Sequence, residues 1–424
     1  MDSLSSPEGT KCCITCKNLF NRVTGELPEG AYTTKESDIA KFEHYTNDEV
    51  YASYDRICAA PEDERKNLQQ LLGLKIDAND LFSNAHLRTI WKPVDHTLRD
   101  PMHVFLNNGV VNSEIAHLAR ALKLHGITIG HMTEFMMTFT LPKRHGTVSD
   151  TWLSRKRFGK KFESLSSFSS ILLSVLPIIV CFLSKVVDEH HPLYANLLCL
   201  KLLRNIIGII MMGPTDAMPY VDKLAELLKN HAELFTELYP SAVKPKFHHA
   251  LHIPENMRYL GKLLTCFVTE RKHRATKRAA LFIFRHIDNT VTKDICNRQC
   301  VAFSGDNSLF KRQYMHAPKQ LTVHGFALKE SKIAVLEYGA VQRNDIVYIT
   351  TDDVCEVIDF WQHADDGVIV VRLRVLEQRG HDIWSRTSNI ERIANVSSII
   401  EAVMWAPSGD NIMIIPPFRV SLRS

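Results

Sequence analysis

Two short stretches hold the residue types that metal-assisted chemistry uses. They are Arg99-Asp100-Pro101-Met102-His103 and the run from Cys266 through Glu270, Arg271, Lys272, His273 and Arg274. Each places one carboxylate near a His, and the second leads into a basic helix. Phosphodiester cleavage commonly uses two or three carboxylates converging on Mg²⁺, a hard cation that prefers oxygen ligands, with two ions about 4 Å apart. Asp100 stands where a short strand over 87–94 is expected to end and a helix to begin. Glu270 falls in the first turn of a helix expected from Thr269 to about Thr292. The same residue types also suit ordinary helix caps, so spacing alone leaves both readings open. Arg271, Lys272, Arg274, Lys277 and Arg278 crowd two turns of that helix. With no acids balancing them they suit a polyanion better than a merely solvated face, and such contacts would be sequence-independent and salt-dependent.

A second chemistry is softer. Cys13-x-x-Cys16 has half the spacing of a zinc site, and His248 and His252, four residues apart, can present two imidazoles from one helical face. A Cys₂His₂ zinc site follows if the fold unites these distant pairs; otherwise the thiols are simply buried. No nucleophile elbow surrounds any Ser, Thr or Cys, and Gly208 to Gly213 lacks the Gly-Lys-Ser/Thr of a phosphate loop.

The elements that must position these residues follow from composition and periodicity. The 424 residues are 45% hydrophobic and 23% charged, with a formal net charge of +4. That is ordinary for a globular protein of two or three domains, and it permits a polyanionic partner without demanding one. The start MDSLSSPEGT has no basic or apolar leader, so the ten Cys are expected to be reduced thiols in the cytosol or nucleus. The apolar run 171–183 carries Ser174 and Pro177 and is too short to span a bilayer, while 193–212 is interrupted by Lys201 and Arg204 and reads as a buried helix. Residues 1–35 read as an irregular Cys-containing segment. Helices are expected over 35–44, after Thr46, from Pro61 toward Leu72, and over 110–124, where Val110, Ile115, Leu118 and Leu122 share a face. Basic, Ser-rich residues 145–170 read as an exposed connection. From 170 to 240 the signal is nearly continuous helix, broken at His191-Pro192 and Gly213-Pro214. After about 330, short β-branched runs over 333–338, 345–350, 354–361, 367–376 and 412–416 suggest a small barrel or sandwich, with a hairpin at Asp365-Asp366-Gly367.

Four islands occur in order. They are residues 9–18 around Cys13 and Cys16, residues 99–103 with Asn108-Gly109 and Glu114 following, Pro245 to Pro254 around His248 and His252, and Cys266 to Lys277. Together they resemble the cut-and-paste DNA transposases of the CACTA and Kyakuja-Dileera-Zisupton type, over roughly residues 9–300. The resemblance implies an α+β fold with a partial RNase H-like core over 36–144, a helical insertion over 145–260, and a closing helix and linker over 261–325; the β-branched runs beyond it read separately as a small β-barrel-like module over 330–417 that looks SH3-like or BAH-like. It implies that Asp100, with His103, is the second catalytic acid and Glu270 the third, both ligands to Mg²⁺ or Mn²⁺; Zn²⁺ at Cys13, Cys16, His248 and His252 is a further candidate cofactor from ligand spacing alone. In such cores the first acid lies upstream of the Cys motif. Only ten residues precede that motif here, so the chain is expected to be the C-terminal part of such a protein and a poor nuclease. DNA is the expected partner in the nucleus; a homo-oligomer is compatible and no membrane is expected. The alternative function is a non-catalytic DNA or chromatin binder using the 271–278 basic helix and the β module. A third reading is a scaffold whose apolar helices over 171–212 pack against another segment.

Overall fold

The computed structural model describes residues 10–11, 13–17, 19–20, 36–77, 81–142, 146–159, 162–266, 292–293, 296, 313–323, 326–336, 339–350, 353–363, 367–380 and 382–415. Among these, helices precede residue 265 and an antiparallel sheet follows residue 313, an α+β arrangement. The chain divides into two compact units. One comprises Met1–Ile127, Lys156–Leu172 and Leu183–Thr265; the other comprises Thr128–Arg155, Leu173–Phe182 and Cys266–Ser424.

The first unit opens with a short antiparallel pair, β1 (Thr10–Lys11) and β2 (Leu19–Phe20). Helices α1 (Asn47–Ala59), α2 (Glu62–Leu72) and α3 (Ala85–Ile90) follow. A full capping box starts α1: Thr46 accepts from the Glu49 amide, and Glu49 accepts from the Thr46 amide at 2.7 Å. One α1 face, Val50, Tyr54 and Ile57, packs with Ile14, Leu74 and Val94 into a small core. Helix α4 (Pro101–Phe105) turns sharply into α5 (Val110–Leu124). That turn needs Asn108 at a positive φ of 49° and Gly109 without a side chain, because a Cβ there would fall on the backbone of Val104 and Phe105. The α5 face expected from the sequence is the buried one.

Two expectations fail here. Residues 87–94 form no strand: Asn84 caps the amides of His86 and Leu87 and starts α3 instead. Residues 36–44 hold only a 3-10 turn, Ile39–Lys41, after which Phe42 is extended.

Helices α6 (Ile129–Met137), α7 (Ser169–Val186), α8 (Tyr194–Met211) and α9 (Val221–Leu238) realise the long helical signal, with breaks where Pro and Gly place them. The buried row of α9 is Leu224, Leu227, Leu228, His231 and Phe235; His231 reaches Glu114 of α5, and Phe235 packs on Phe247. Both α7 and α8 are 18 residues long and apolar enough to cross a bilayer by length and composition, and 56% of each is buried within the protein. The helix thus runs past the 171–183 stretch judged too short. The 145–170 stretch is not an exposed connection either: Trp152, Leu153, Phe158 and Leu165 are buried. Leu165 exchanges hydrogen bonds with Asn112 of α5, whose side chain is fully buried. Helices α10 (Pro245–Leu251) and α11 (Ile253–Leu260) complete the first unit, each with Pro in its first turn.

In the second unit the strands begin earlier than expected. A hairpin of β4 (Lys319–Val323) and β5 (Phe326–Ser331) joins the long β9 (Val354–His363) through β5. Another three-stranded sheet holds β3 (Tyr314–Met315), β6 (Ile333–Leu336) and β7 (Gly339–Gln342). Around β9 the main sheet runs β11-β12-β15-β14-β8-β9-β10-β13, adding β8 (Ile346–Ile349), β10 (Ile369–Val375), β11 (Glu377–Gln378), β12 (Ile383–Ser385), β13 (Glu391–Asn395), β14 (Ile399–Ser408) and β15 (Asn411–Ile415). Among the described residues no barrel closes, which corrects the barrel expectation. The apolar run of β8 is buried on both faces: Val347 and Ile349 join one cluster with Phe360 and Val371, and Ile346 and Tyr348 join a second with Ile412 and Ile414. The β9–β10 register, which sets Asp359 opposite Arg372 and Val357 opposite Leu373, leaves Ile358 as a bulge. Its carbonyl accepts from the Arg343 side chain at 2.6 Å.

Candidate metal centre

Cys13 and Cys16 sit on a tight turn held against the approach to α1. Lys17 donates its amide to the Glu43 carbonyl at 2.8 Å, and Tyr45 donates to Thr15 at 2.9 Å. The intervening Ile14 points into the core, which leaves the two thiols on the other side of the turn. His248 lies in α10, and His252 is the junction residue that ends α10 and starts α11. Four-residue spacing puts both rings on one face.

These two pairs, more than 230 positions apart, come together. The His248 Nε2 lies 3.0 Å from Cys16 Sγ and 3.1 Å from His252 Nε2, which is 3.6 Å from each sulfur. All four side chains are buried and form a group able to hold a metal ion. A tetrahedral zinc, with Zn–N near 2.0–2.1 Å and Zn–S near 2.3 Å, would separate two nitrogens by about 3.3 Å and a nitrogen from a sulfur by about 3.5 Å; the 3.1 Å and 3.6 Å spacings lie close to these, and the 3.0 Å Cys16–His248 contact would open by about half an ångström. His252 Nδ1 pairs with Glu255 Oε2 at 2.9 Å, an arrangement that directs Nε2 toward the sulfurs. His248 stacks on Phe42, with ring centroids 4.9 Å apart, and its Nδ1 is buried without a hydrogen-bond partner.

The electrostatics favour a thiolate. Burial works against ionisation of Cys13, but hydrogen bonds with Cys16, His248 and His252 and the charge of Arg99 outweigh it, holding the thiol well below its ordinary range. Arg99 is itself buried and donates to Cys13 Sγ at 2.8 Å. Burial pulls His248 down, which keeps its ring neutral as a ligand must be. Burial also opposes charge on His252, but Cys13 and Glu255 reverse the balance and raise it.

The Asp100 element is stitched to the same place. The Arg99 amide donates to Asn256 Oδ1 of α11 at 3.0 Å. Asp100 caps α4, with its Oδ2 accepting from the His103 amide at 2.9 Å and pairing with His103 Nδ1 at 2.6 Å. Lys246 of α10 donates to the carbonyls of His103 and Asn107, closing the end of α4. Burial, then Lys244, lowers the pKa of that amine. Three of the sequence islands therefore share one neighbourhood. Glu270, Arg271, Lys272, Arg274, Lys277 and Arg278, and the helix expected around them, lie outside the described residues.

The sequence reading assigned no role to Arg99 or Glu255. Glu255 was within reach of it, since it sits three residues after His252. Arg99 was not, because nothing in the sequence links it to Cys13.

Comparison of the chain with protein-family models and with curated proteins returns no match.

Proposed function

We propose that this chain is a DNA-binding protein of DDE-transposase descent, with an RNase H-like core whose helical part is fastened by Zn²⁺ at Cys13, Cys16, His248 and His252. The observation that supports this most is the meeting of the Cys, Arg99–His103 and Pro245–Pro254 islands around one buried cluster. The resemblance rests on the residues, order and spacing of those islands in the sequence, and their meeting in the fold is a further observation. Two thiolates and two neutral imidazoles balance the charge of Zn²⁺, and all four ligand types are ones it prefers. A centre built from the two ends of the first unit would act as a structural staple, since binding free energy at such sites becomes folding free energy.

Under this reading the staple holds the Asp100 element in place. The resemblance assigns Asp100 and Glu270 to Mg²⁺ or Mn²⁺, which would supply charge neutralisation and an activated oxygen at a phosphodiester. The residues of this chain orient that carboxylate: His103 holds one oxygen of Asp100, and Arg99 fixes the backbone before it. Arg271, Lys272, Arg274, Lys277 and Arg278 are the proposed phosphate contacts, and nuclear DNA is the proposed partner.

The test is fluorescence anisotropy of a labelled DNA duplex across a salt series. If the five basic side chains each neutralise one phosphate, the log–log slope of affinity against salt is about −4 to −5. It flattens when all five are replaced by Ala, while Asp100→Asn leaves binding intact. Absence of binding at about 50 mM salt, where such contacts are strong, would sink the proposal.

A further inference from the structure

A second group of ligand-type side chains lies in the helical core of the first unit, contributed by three different helices. Glu114 of α5 pairs with His231 of α9 at 2.6 Å, and Cys199 of α8 completes a set whose ligand atoms all lie within 4.8 Å of one another. The three side chains are 1%, 3% and 0% exposed. Apolar packing accounts for Cys199 but not for the other two, because a Glu and a His in a core of Leu and Ile require a reason.

A hydrogen-bonded Glu–His pair is the simplest reason, and it is incomplete. It satisfies one oxygen of Glu114 and, among the described residues, leaves Oε1 buried with no hydrogen-bond partner. A divalent cation would engage the carboxylate, the imidazole and the thiol together, and coordination removes the thiol proton.

We propose that Glu114, Cys199 and His231 form a second zinc site, distinct from the Cys₂His₂ centre. One thiolate, one carboxylate and one neutral imidazole balance the charge of Zn²⁺, as a site buried away from bulk solvent requires. Zn²⁺ would take the place of the proton between His231 and Glu114 and of the Cys199 thiol proton, both released to solvent, and the 2.6 Å oxygen–nitrogen contact would open to about 3.3 Å while the sulfur closes in. Three protein ligands leave a fourth position for water. The proposal does not rest on DNA binding or on transposase descent.

The test is zinc content of the full-length purified protein by mass spectrometry, joined to X-ray absorption at the zinc edge. Two equivalents per chain are expected, falling to one in Cys199→Ala and in Glu114→Gln, with both variants keeping the Cys₂His₂ ion. In the unmutated protein the average is about 1.5 sulfur ligands per zinc, the mean over a two-sulfur and a one-sulfur site. That second readout does not depend on either variant folding. A zinc content unchanged by Cys199→Ala, or an average of about two sulfurs per zinc, would overturn the second site.

Discussion

At the scale of single residues, the metal centre divides into what spacing reveals and what it hides. Cys13-x-x-Cys16 and His248-x-x-x-His252 are each visible as ligand pairs, because each lies within one local turn. Their union is a property of the tertiary fold and leaves no trace in the spacing. The supporting residues sort the same way: Glu255 was legible beside His252, and Arg99, which meets Cys13 at 2.8 Å, was not. Glu255→Gln should keep the geometry but weaken the hold on His252, lowering zinc affinity by about 10–100-fold. Competition with a chromophoric chelator measures this directly, and an affinity within twofold of the parent protein would show that Glu255 does not support the ligand.

At the scale of elements, capping outweighed β propensity. The stretch Leu87-Arg-Thr-Ile-Trp91 carries β-branched and aromatic residues that suit a strand, yet the Asn84 side chain commits it to α3. Arg88 then locks that helix to α1. It pairs with both oxygens of Asp55, at 2.6 and 3.1 Å, and lies over the rings of Tyr51 and Tyr54. The hydrogen-bonded Arg88 holds Asp55 below its usual 3.8. A depressed carboxylate stabilises the fold above its unfolded pKa, and that contribution is lost as pH falls through its folded value. Asp55→Asn should therefore cost under about 1 kcal/mol at neutral pH, the pair being exposed, and nothing in strong acid. Thermal melts at pH 7 and pH 2 check this, and an equal cost at both would contradict it. The α4–α5 turn was only partly legible: Asn108-Gly109 marked a turn, but only the backbone shows that Gly109 has no room for a side chain. Gly109→Ala should destabilise by about 2–3 kcal/mol, as overpacking does, and urea denaturation reads it. A neutral substitution would mean that the turn can yield.

At the scale of the whole molecule, the order of helices then strands was readable from hydropathy, including the breaks at Pro192 and Gly213-Pro214. The sheet was only partly so. Strands such as β8 announce themselves as unbroken apolar runs, whereas β13 is exposed and polar, and its place beside β10 depends on register with a distant partner. The same non-local pairing explains why an open sheet could not be told from a barrel. Arg372 of β10 pairs across the bulge with the buried Asp359 of β9 at 2.6 Å. Among the described residues, Arg372→Ala would leave that carboxylate with Arg343 at 3.6 Å, and should cost about 3 kcal/mol by denaturant melt. A loss below 1 kcal/mol would show that Arg343 suffices.

The central claim is that one ion joins the Cys pair to a His pair more than 230 residues away. Differential alkylation of Cys13 and Cys16, mapped by mass spectrometry in native protein, tests it most directly. Both thiols should be protected in the parent protein and in His248→Cys, which restores a zinc ligand, and both should become reactive in His248→Ala or after chelation. Equal protection in His248→Ala and His248→Cys, unchanged by a chelator, would contradict the shared metal.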